Sequence, residues 1–314
     1  MPPFALVKVS NDGYCPLYVP VVVIFGGTSG IGKAMTRRLS EQLDGRIHVI
    51  VVGRNKASAD ALFSSLPKPT GSKQELERCG YEFIHCDISL MKNVHQAAQD
   101  IAQRCPKINY LILASGKAFF GKRKETEEGL DSQLVLRYYW KFAITNDLLP
   151  NLRAAKDVGQ AAGVFVILAH GVGPKINFQD LGVKKYHRYG VGPMFQGVSY
   201  GDLMLAMYAE REPDIAFTHM FPGMVDTEAN RPSAVSSWLA KLLMLLLRPL
   251  AVLFYIKVDV SAENMVYGLL NGERGFYQRN TVADNVGPRN VSYAESDRQA
   301  FWEHSLSATR SLPR

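Results

Sequence analysis

Short apolar stretches of strand length recur along the chain and alternate with segments of helical spacing. Six of them cover residues 19–25, 47–52, 81–85, 108–113, 164–168 and 215–220. They are rich in valine, isoleucine and leucine and lack a strict apolar/polar alternation, which is typical of strands covered on both faces. The pattern predicts an α/β fold: a Rossmann-type doubly wound parallel sheet of about seven strands with helices on both faces.

The segments between these strands carry helix-end signals. A helix after the first strand is expected to run to about Leu43 and to stop at Asp44-Gly45. Ser89 is expected to cap a second helix, and two more are predicted over about residues 130–149 and 199–210.

A single Rossmann domain is expected over residues 1–314. Residues 1–18 are predicted to form an N-terminal arm across the sheet edge, and residues 263–314 a C-terminal extension of helix and strand. Between them, residues 229–262 form a leucine-rich segment, which we interpret as a helical apolar lid.

Within the lid, residues 238–258 are long enough to span a bilayer. They carry Lys241, Arg248, Pro249 and Lys257, which argue against a spanning helix. We expect this segment to cap an apolar substrate pocket, and contact with a membrane surface stays open as the alternative.

Composition narrows the class of protein. The net charge is +7, but the basic residues are scattered, so no nucleic-acid partner is expected. The four cysteines and seven histidines show no metal-ligand spacing and no disulfide framework, so no metal is predicted. The N-terminus lacks the pattern of a signal peptide. We expect a cytoplasmic location, with membrane association as the alternative.

The turn after the first strand has the spacing of a dinucleotide site. It reads Gly26-Gly27-Thr28-Ser29-Gly30-Ile31-Gly32 and opens a helix. Glycines let the backbone approach a pyrophosphate, and the free N–H groups at the start of the helix bind its charge.

The second strand leads to Arg54-Asn55 rather than to an acidic residue. A carboxylate at this point would bind the ribose hydroxyls of NAD, whereas a guanidinium can bind a 2′-phosphate. The sequence therefore predicts NADP(H) as cofactor, with Arg54 contacting its 2′-phosphate.

Later strand ends extend the same predicted site. Asp87-Ile88 follow the third strand, where a carboxylate can accept from the adenine amine, and Ala114-Ser115-Gly116 follow the fourth. After the sixth strand, the residues expected near the nicotinamide amide are Pro222, Gly223, Val225 and Thr227.

With these motifs the sequence resembles the short-chain dehydrogenase/reductase superfamily over roughly residues 19–228. More narrowly, it resembles a filamentous-fungal group found among enzymes of secondary metabolism. The features that suggest this group are the N-terminal arm, Glu127-Glu128-Gly129-Leu130, Tyr138-Tyr139, Leu148-Leu149-Pro150, Gly275-Phe276-Tyr277 and Phe301-Trp302-Glu303-His304.

The resemblance implies a Tyr-x3-Lys pair, a serine after the fifth strand and an asparagine on the helix after the fourth. None of the fourteen tyrosines is followed four places later by lysine. Met194 and Val198 stand where the pair is expected, His170 where the serine is, and Arg137 at the place of the asparagine. The predicted active site is therefore non-standard.

Four residues are candidates for the chemistry. His170 is an acid/base candidate, or else a histidine bonded to a loop carbonyl. Arg137 could stabilise an oxyanion or hold an acidic substrate, or else pair with Asp131 or Glu128. Tyr189 and Tyr200 could replace the missing tyrosine, or else simply pack.

Three functions stay open on this basis. The first is an NADP(H)-dependent oxidoreductase that reduces a carbonyl of a hydrophobic natural product, such as a polyketide or terpenoid. The second is a non-redox cyclase, isomerase or dehydratase on the same fold, and the third a non-catalytic NADP(H)-binding protein. Dimers and tetramers are common for this fold, so a homo-oligomer stays open as well.

Overall fold

The computed structural model describes residues 3–69, 72–116, 123–185, 192–227 and 255–311. Seven strands form one sheet in the order β3-β2-β1-β4-β5-β6-β7, and every neighbouring pair is parallel. They are β1 Val21–Phe25, β2 His48–Gly53, β3 Gly80–His85, β4 Tyr110–Leu113, β5 Gly163–Ile167, β6 Ala216–Met220 and β7 Gly275–Arg279. The predicted doubly wound parallel sheet of seven strands is confirmed.

Helices connect the strands. They are α1 Phe4–Asp12, α2 Gly30–Gln42, α3 Lys56–Phe63, α4 Lys73–Leu76, α5 Met91–Arg104, α6 Ser132–Leu134, α7 Trp140–Asp157, α8 Gly192–Arg211, α9 Val258–Leu270 and α10 Glu295–Thr309. A π-helical turn, Val135–Tyr139, joins α6 to α7, so the helix predicted over residues 130–149 continues past Pro150.

Successive residues of each central strand enter two different cores. On β1, Val23 and Phe25 pack with α5, α7 and α8, while Val22 and Ile24 pack on the side of α2 and α9. All four side chains are fully buried. Burial on both faces explains why the strands are apolar at nearly every position.

The predicted cap at Ser89 is wrong. α5 begins one residue later, with Leu90 at the N-cap and no side-chain cap of its own. The carboxylate of Glu128 instead accepts from the backbone N–H groups of Met91 and Lys92, at 2.6 and 3.0 Å. A long-range carboxylate therefore supplies both the hydrogen bonds and the negative charge that favour a helix start.

The N-terminal arm contains a helix, α1. α1 packs on α9, where the Asn11 side chain donates to the Glu263 carboxylate and carbonyl at 2.8 and 3.0 Å. The chain then passes the amino ends of β4 and β5. There Tyr14 bonds the hydroxyl of Tyr110, and Tyr18 accepts from the Ala161 N–H.

Most of the predicted lid, residues 229–254, lies outside the described residues. Its last positions belong to α9, which covers the sheet beside α2. Within the described part of the chain, no helix is long and apolar enough to cross a membrane.

One histidine connects three helices on the α5 side of the sheet. His95 of α5 meets the Asp147 carboxylate of α7 at 2.5 Å through Nδ1, and the Thr309 carbonyl at the end of α10 at 2.8 Å through Nε2. Both partners are acceptors, so both ring nitrogens must carry hydrogen to satisfy them, which favours the imidazolium. The hydrogen bond to Asp147, more than the opposing burial, raises the pKa of His95.

This arrangement predicts a stability that depends on pH. Because the folded pKa of His95 lies above its unfolded value near 6.5, its contribution is complete below about pH 6.5 and is lost as pH rises through the folded pKa. Each unit of that difference is worth about 1.4 kcal/mol. Urea unfolding at pH 5.5 to 9 should show this loss in the wild type and a flatter profile in His95→Gln. His85→Gln, a change at an exposed histidine, should behave as the wild type, and equal profiles in all three proteins would contradict the assignment.

Candidate functional site

The turn between β1 and α2 is packed so closely that two of its glycines, Gly26 and Gly32, admit no side chain. A Cβ at Gly32 would lie 2.4 Å from the carbonyl oxygen of Gly26. One at Gly26, where φ is +87°, would lie 2.6 Å from the Ser115 Oγ. α2 begins at Gly30 with Ser29 as its N-cap and no side-chain cap bond, so its first N–H groups face the turn. This is the geometry that a pyrophosphate requires.

Other predicted cofactor residues converge on this turn. The Ala114 Cβ lies 3.3 Å from a Cβ built at Gly32, and Thr227 lies 3.4 Å from one built at Gly30. Thr28 lies 3.6 Å from the corresponding position of Gly53, just before Arg54. The carboxyl ends of β1, β2, β4 and β6 therefore contribute to one site, as expected for ligands bound to an open parallel sheet.

A cleft of about 520 Å³ opens beside the turn. It is lined by Thr28, Ser29, Gly30, Lys33, Ala34, Arg37, Arg54, Asn55, Ser58, Asp226, Thr227, Val258 and Asp259. Lys33, Arg37 and Ser58 were not predicted from the sequence. Lys33 and Arg37 are four residues apart and therefore lie on one face of α2. This spacing could have identified them from the sequence.

Arg54 and Asn55 sit at the start of α3. Asn55 is the N-cap, and its side chain accepts from the Ser58 N–H at 3.0 Å. Arg54 is exposed at the cleft rather than buried in an ion pair. A helix start, a guanidinium and the neighbouring Arg37 together offer donors for a phosphate group.

The remaining cofactor candidates surround the same edge of the sheet. Asp87 accepts from the Ser89 N–H at 3.0 Å through its side chain, and Ile88 packs against the core on the α5 side. Pro222 precedes Gly223, at which a Cβ would lie 2.7 Å from Ile256. Val225 pairs with Ile256 in a parallel bridge, which ties the segment after β6 to the start of α9.

Arg137 lies in the π-helical turn above the fourth strand. A Cβ at Gly116 would lie 3.3 Å from the Leu136 carbonyl, and one at Gly197 of α8 would lie 2.6 Å from the Arg137 Cβ. The guanidinium does not use the partners considered for it, because Asp131 faces Arg123 and Glu128 caps α5. Among the described residues, no group accepts a hydrogen bond from its buried Nε, and burial lowers the pKa of Arg137.

Lys141 stands one turn along the same helix and was missed in the sequence. Its side chain is 1% exposed, and Nζ donates to the Arg137 carbonyl at 2.9 Å. Burial, and then the Arg137 guanidinium, lowers the pKa of Lys141 to about 7. In the sequence, the sign of a buried lysine was its position directly between Trp140 and Phe142.

His170 follows β5 at the carboxyl edge. Its ring lies 6.0 Å from that of His219, at 65° between the ring planes. Burial first, and then His219, lowers the pKa of His170. Both of its nitrogens are buried and make no well-aligned hydrogen bond among the described residues, although the Arg279 backbone is within reach.

Of the two tyrosine candidates, Tyr200 and Tyr189, the structure describes only Tyr200. Tyr200 is fully buried between Tyr138 and Phe301, and its hydroxyl donates to the Leu181 carbonyl at 3.0 Å. These contacts favour the packing interpretation for Tyr200. Tyr189 lies outside the described residues. On α8, Met194 is half-buried and Val198 is buried, so neither position of the expected pair carries a titratable group.

Comparisons with known proteins agree with this geometry. The family model described as short chain dehydrogenase matches residues 20–157. Oxidoreductase AN1596 of Emericella nidulans is 31% identical over 268 residues, which are 84% of this chain and 75% of that protein.

Two solved structures share the fold. A protein from Mycobacterium Paratuberculosis superposes with a TM-score of 0.66 at 18% identity, over 96% of this chain and 97% of its own. The NADPH-bound carbonyl reductase from chicken fatty liver superposes with a TM-score of 0.57 at 16% identity, over 86% of this chain and 100% of its own.

The packing of the turn gives a direct prediction. Gly32→Ala should weaken dinucleotide binding by at least about tenfold, because its methyl group would displace the Gly26 carbonyl and with it the turn. Gly80→Ala is the matched control, since a Cβ there meets nothing within 4 Å. Fluorescence titration with NADPH would measure the affinities, and circular dichroism would check the fold. Wild-type affinity in Gly32→Ala would refute the assignment of this turn.

Proposed function

This chain belongs to the short-chain dehydrogenase/reductase family of oxidoreductases, and from that premise we propose that it is an NADP(H)-dependent carbonyl reductase for a hydrophobic natural product. The observation that carries this proposal is the pairing of an intact phosphate-binding turn with a different set of polar side chains at the reaction end. His170 follows β5, and Arg137 and Lys141 lie on the helical segment that follows β4.

The preference for NADP(H) is supported by the charges around the cleft. Lys33, Arg37 and Arg54 all line it. Arg54 stands where an acidic residue would favour NAD, and the start of α3 lies beside it. A 2′-phosphate bound here would meet a guanidinium, free N–H groups and the Ser58 hydroxyl.

The roles at the reaction end follow from the side chains. When bound, NADPH supplies a hydride to the carbonyl carbon. His170 gives a proton to the oxygen, since it follows β5 at the carboxyl edge and imidazole is the side chain best suited to general acid catalysis. Arg137 stabilises the negative charge that develops on that oxygen, and Lys141 adds to the positive potential without a described carboxylate to offset it.

The hydrophobic substrate is supported by exposed apolar side chains at the same edge. Val172 follows β5, Phe195 lies on the first turn of α8, and Phe221 and Met224 follow β6; they are 60, 41, 38 and 48% exposed. Exposed large apolar groups gathered beside a polar site are typical of a surface that receives an apolar ligand.

A non-redox reaction is the second candidate function. Met194 and Val198 replace the family's proton-transfer pair, and a cationic pair such as Arg137 and Lys141 can stabilise an enolate without any hydride transfer. Such an enzyme would return a product at the oxidation level of its substrate.

The charge arrangement predicts the cofactor preference. Arg54→Ala should weaken NADPH binding by about tenfold or more, the order expected for one charge-assisted hydrogen bond, and should leave NADH binding unchanged because NADH lacks the 2′-phosphate. Arg78→Ala, at an exposed arginine outside the cleft, is the control. Calorimetric titration of both nucleotides measures the effect. Equal losses for NADPH and NADH would count against a 2′-phosphate site at Arg54.

The reaction itself is tested with hydrophobic ketones and aldehydes and with host extract. We expect NADPH consumption together with a product heavier by two hydrogens, measured by absorbance and mass spectrometry. His170→Gln should lower turnover about 100-fold and keep NADPH affinity, whereas His85→Gln should not change either. Product without NADPH consumption would establish the non-redox reading, and full turnover in His170→Gln would remove His170 from the reaction.

A further inference from the structure

A buried polar cluster lies directly beneath His170, and the function proposed above does not use it. It consists of Asp202 on α8, His219 on β6 and Gln278 on β7. The side chains of Asp202 and His219 are completely buried, and Gln278 is 1% exposed. Three different elements therefore place polar groups in the interior at the carboxyl end of the sheet, next to the proposed proton donor.

Asp202 is the centre of this cluster. One carboxylate oxygen accepts from His219 Nδ1 at 2.7 Å and from Gln278 Nε2 at 2.8 Å. The other accepts at 2.9 Å from the backbone N–H of Gly171, the residue after His170. A buried carboxylate needs such donors to remain charged. Asp202 thus holds the His219 ring and the backbone beside His170 in one arrangement.

Within the described residues, one nitrogen of His219 is left without a partner. His219 Nε2 is buried and makes no hydrogen bond. The His219 ring centroid lies 6.0 Å from that of His170, whose ring is also within reach of the Arg279 backbone. A polar atom left unsatisfied in the interior is unfavourable in a purely structural histidine. Asp202 holds Nδ1 of the His219 ring, whereas Nε2 is buried and unpaired among the described residues.

His219 is a satisfied core residue only through Nδ1, because Nε2 makes no hydrogen bond among the described residues. The Arg289 side chain and the Arg279 backbone lie near His170, and Tyr293 faces Asp202. Arg289 is fixed through its backbone, whose N–H donates to Gln278 Oε1 at 2.7 Å and whose carbonyl accepts from Gln278 Nε2 at 3.1 Å. No group among these except the two imidazoles exchanges protons near neutral pH.

We propose that His219 and Asp202 form a proton relay that supplies and replaces the proton of His170. The relay rests on the proposed function, in which His170 protonates the substrate oxygen. In that step one N–H bond of His170 breaks and one O–H bond of the alcohol forms. The imidazolium of His219, whose charge the Asp202 carboxylate balances, then transfers a proton to His170. After product release, His219 regains a proton from solvent by way of His170. One proton is consumed for each carbonyl reduced.

His219 and Asp202 are positioning and relay residues in this scheme, because only His170 meets the substrate. The proposed relay requires the two imidazoles to exchange protons as a pair rather than independently. The lowered pKa of His170, to which burial contributes first and His219 next, agrees with this coupling.

The first test needs neither substrate nor cofactor. Protein labelled with nitrogen-15 histidine is titrated by NMR between pH 5 and 9, with signals assigned by His170→Gln and His219→Gln. In the wild type, we expect the signals of His170 and His219 each to report two shared titration steps. In His219→Gln, His170 should titrate in a single step. In Asp202→Asn, the midpoint of the His170 titration should change. Two independent single-step curves in the wild type would overturn the relay whether or not the protein reduces carbonyls.

The second test measures turnover with a substrate that the wild type reduces. His219→Gln keeps a donor toward Asp202 but cannot carry a proton, so it should lower kcat about 10-fold to 100-fold, change the pH profile of kcat and leave KM and NADPH affinity as they are. His85→Gln is the control. If His219→Gln does not fold, Asp202→Asn, which preserves size and shape, takes its place. An unchanged kcat and pH profile would overturn the relay while leaving the reductase function intact.

Discussion

The approach of α2 to the turn after β1 is the contact on which the rest of the site depends. With the Gly32 Cα so close to the Gly26 carbonyl that no methyl group fits between them, the start of α2 points at the carboxyl edge of the sheet. Ser115, Ala114 and Thr227 then pack around this turn and set the positions of the loops after β4 and β6. Binding and chemistry are consequently placed along one edge by backbone contacts rather than by flexible side chains.

The charges along that edge divide the site into two regions. At the α2 and α3 end, exposed cations line an open cleft, where they attract a phosphate and are screened by solvent. At the π-helical turn, Arg137 and Lys141 are largely desolvated, and their pKa values are lowered by burial. A cation with little water around it exerts a stronger field on a reacting group. In the proposed function, positive charges at the α2 and α3 end contribute to cofactor affinity, and those near the π-helical turn contribute to the reaction.

Much of the fold could be predicted from the sequence, because strands buried on both faces must be apolar at nearly every position. The residues predicted to bind the cofactor were chosen for a related reason, since each follows the end of such a strand. The cap of α5 could not, because its acceptor is Glu128, 37 positions from Met91 along the chain. The N-terminal helix depends in the same way on Glu263, 252 positions from Asn11.

The reaction end was predicted less completely, and the reason is also physical. His170 and Arg137 were found by their positions after strands, but their surroundings come from β6, β7 and α8, whose spatial order no local pattern encodes. Lys141 was hidden in an apolar helix face, and Asp202 in the middle of a buried helix. Buried polar groups of this kind are recognised only when their partners are known.

The passage of Tyr14 and Tyr18 across the amino ends of β4 and β5 has an evolutionary consequence. Every residue assigned to binding or proton transfer lies at the opposite ends of the strands, so substitutions around the tyrosines can alter folding stability without moving a reacting atom. Selection for a new substrate and selection for robustness therefore act on separate sets of positions. A lineage built on this fold can exchange one chemistry for another while the tyrosine-lined edge keeps the scaffold intact.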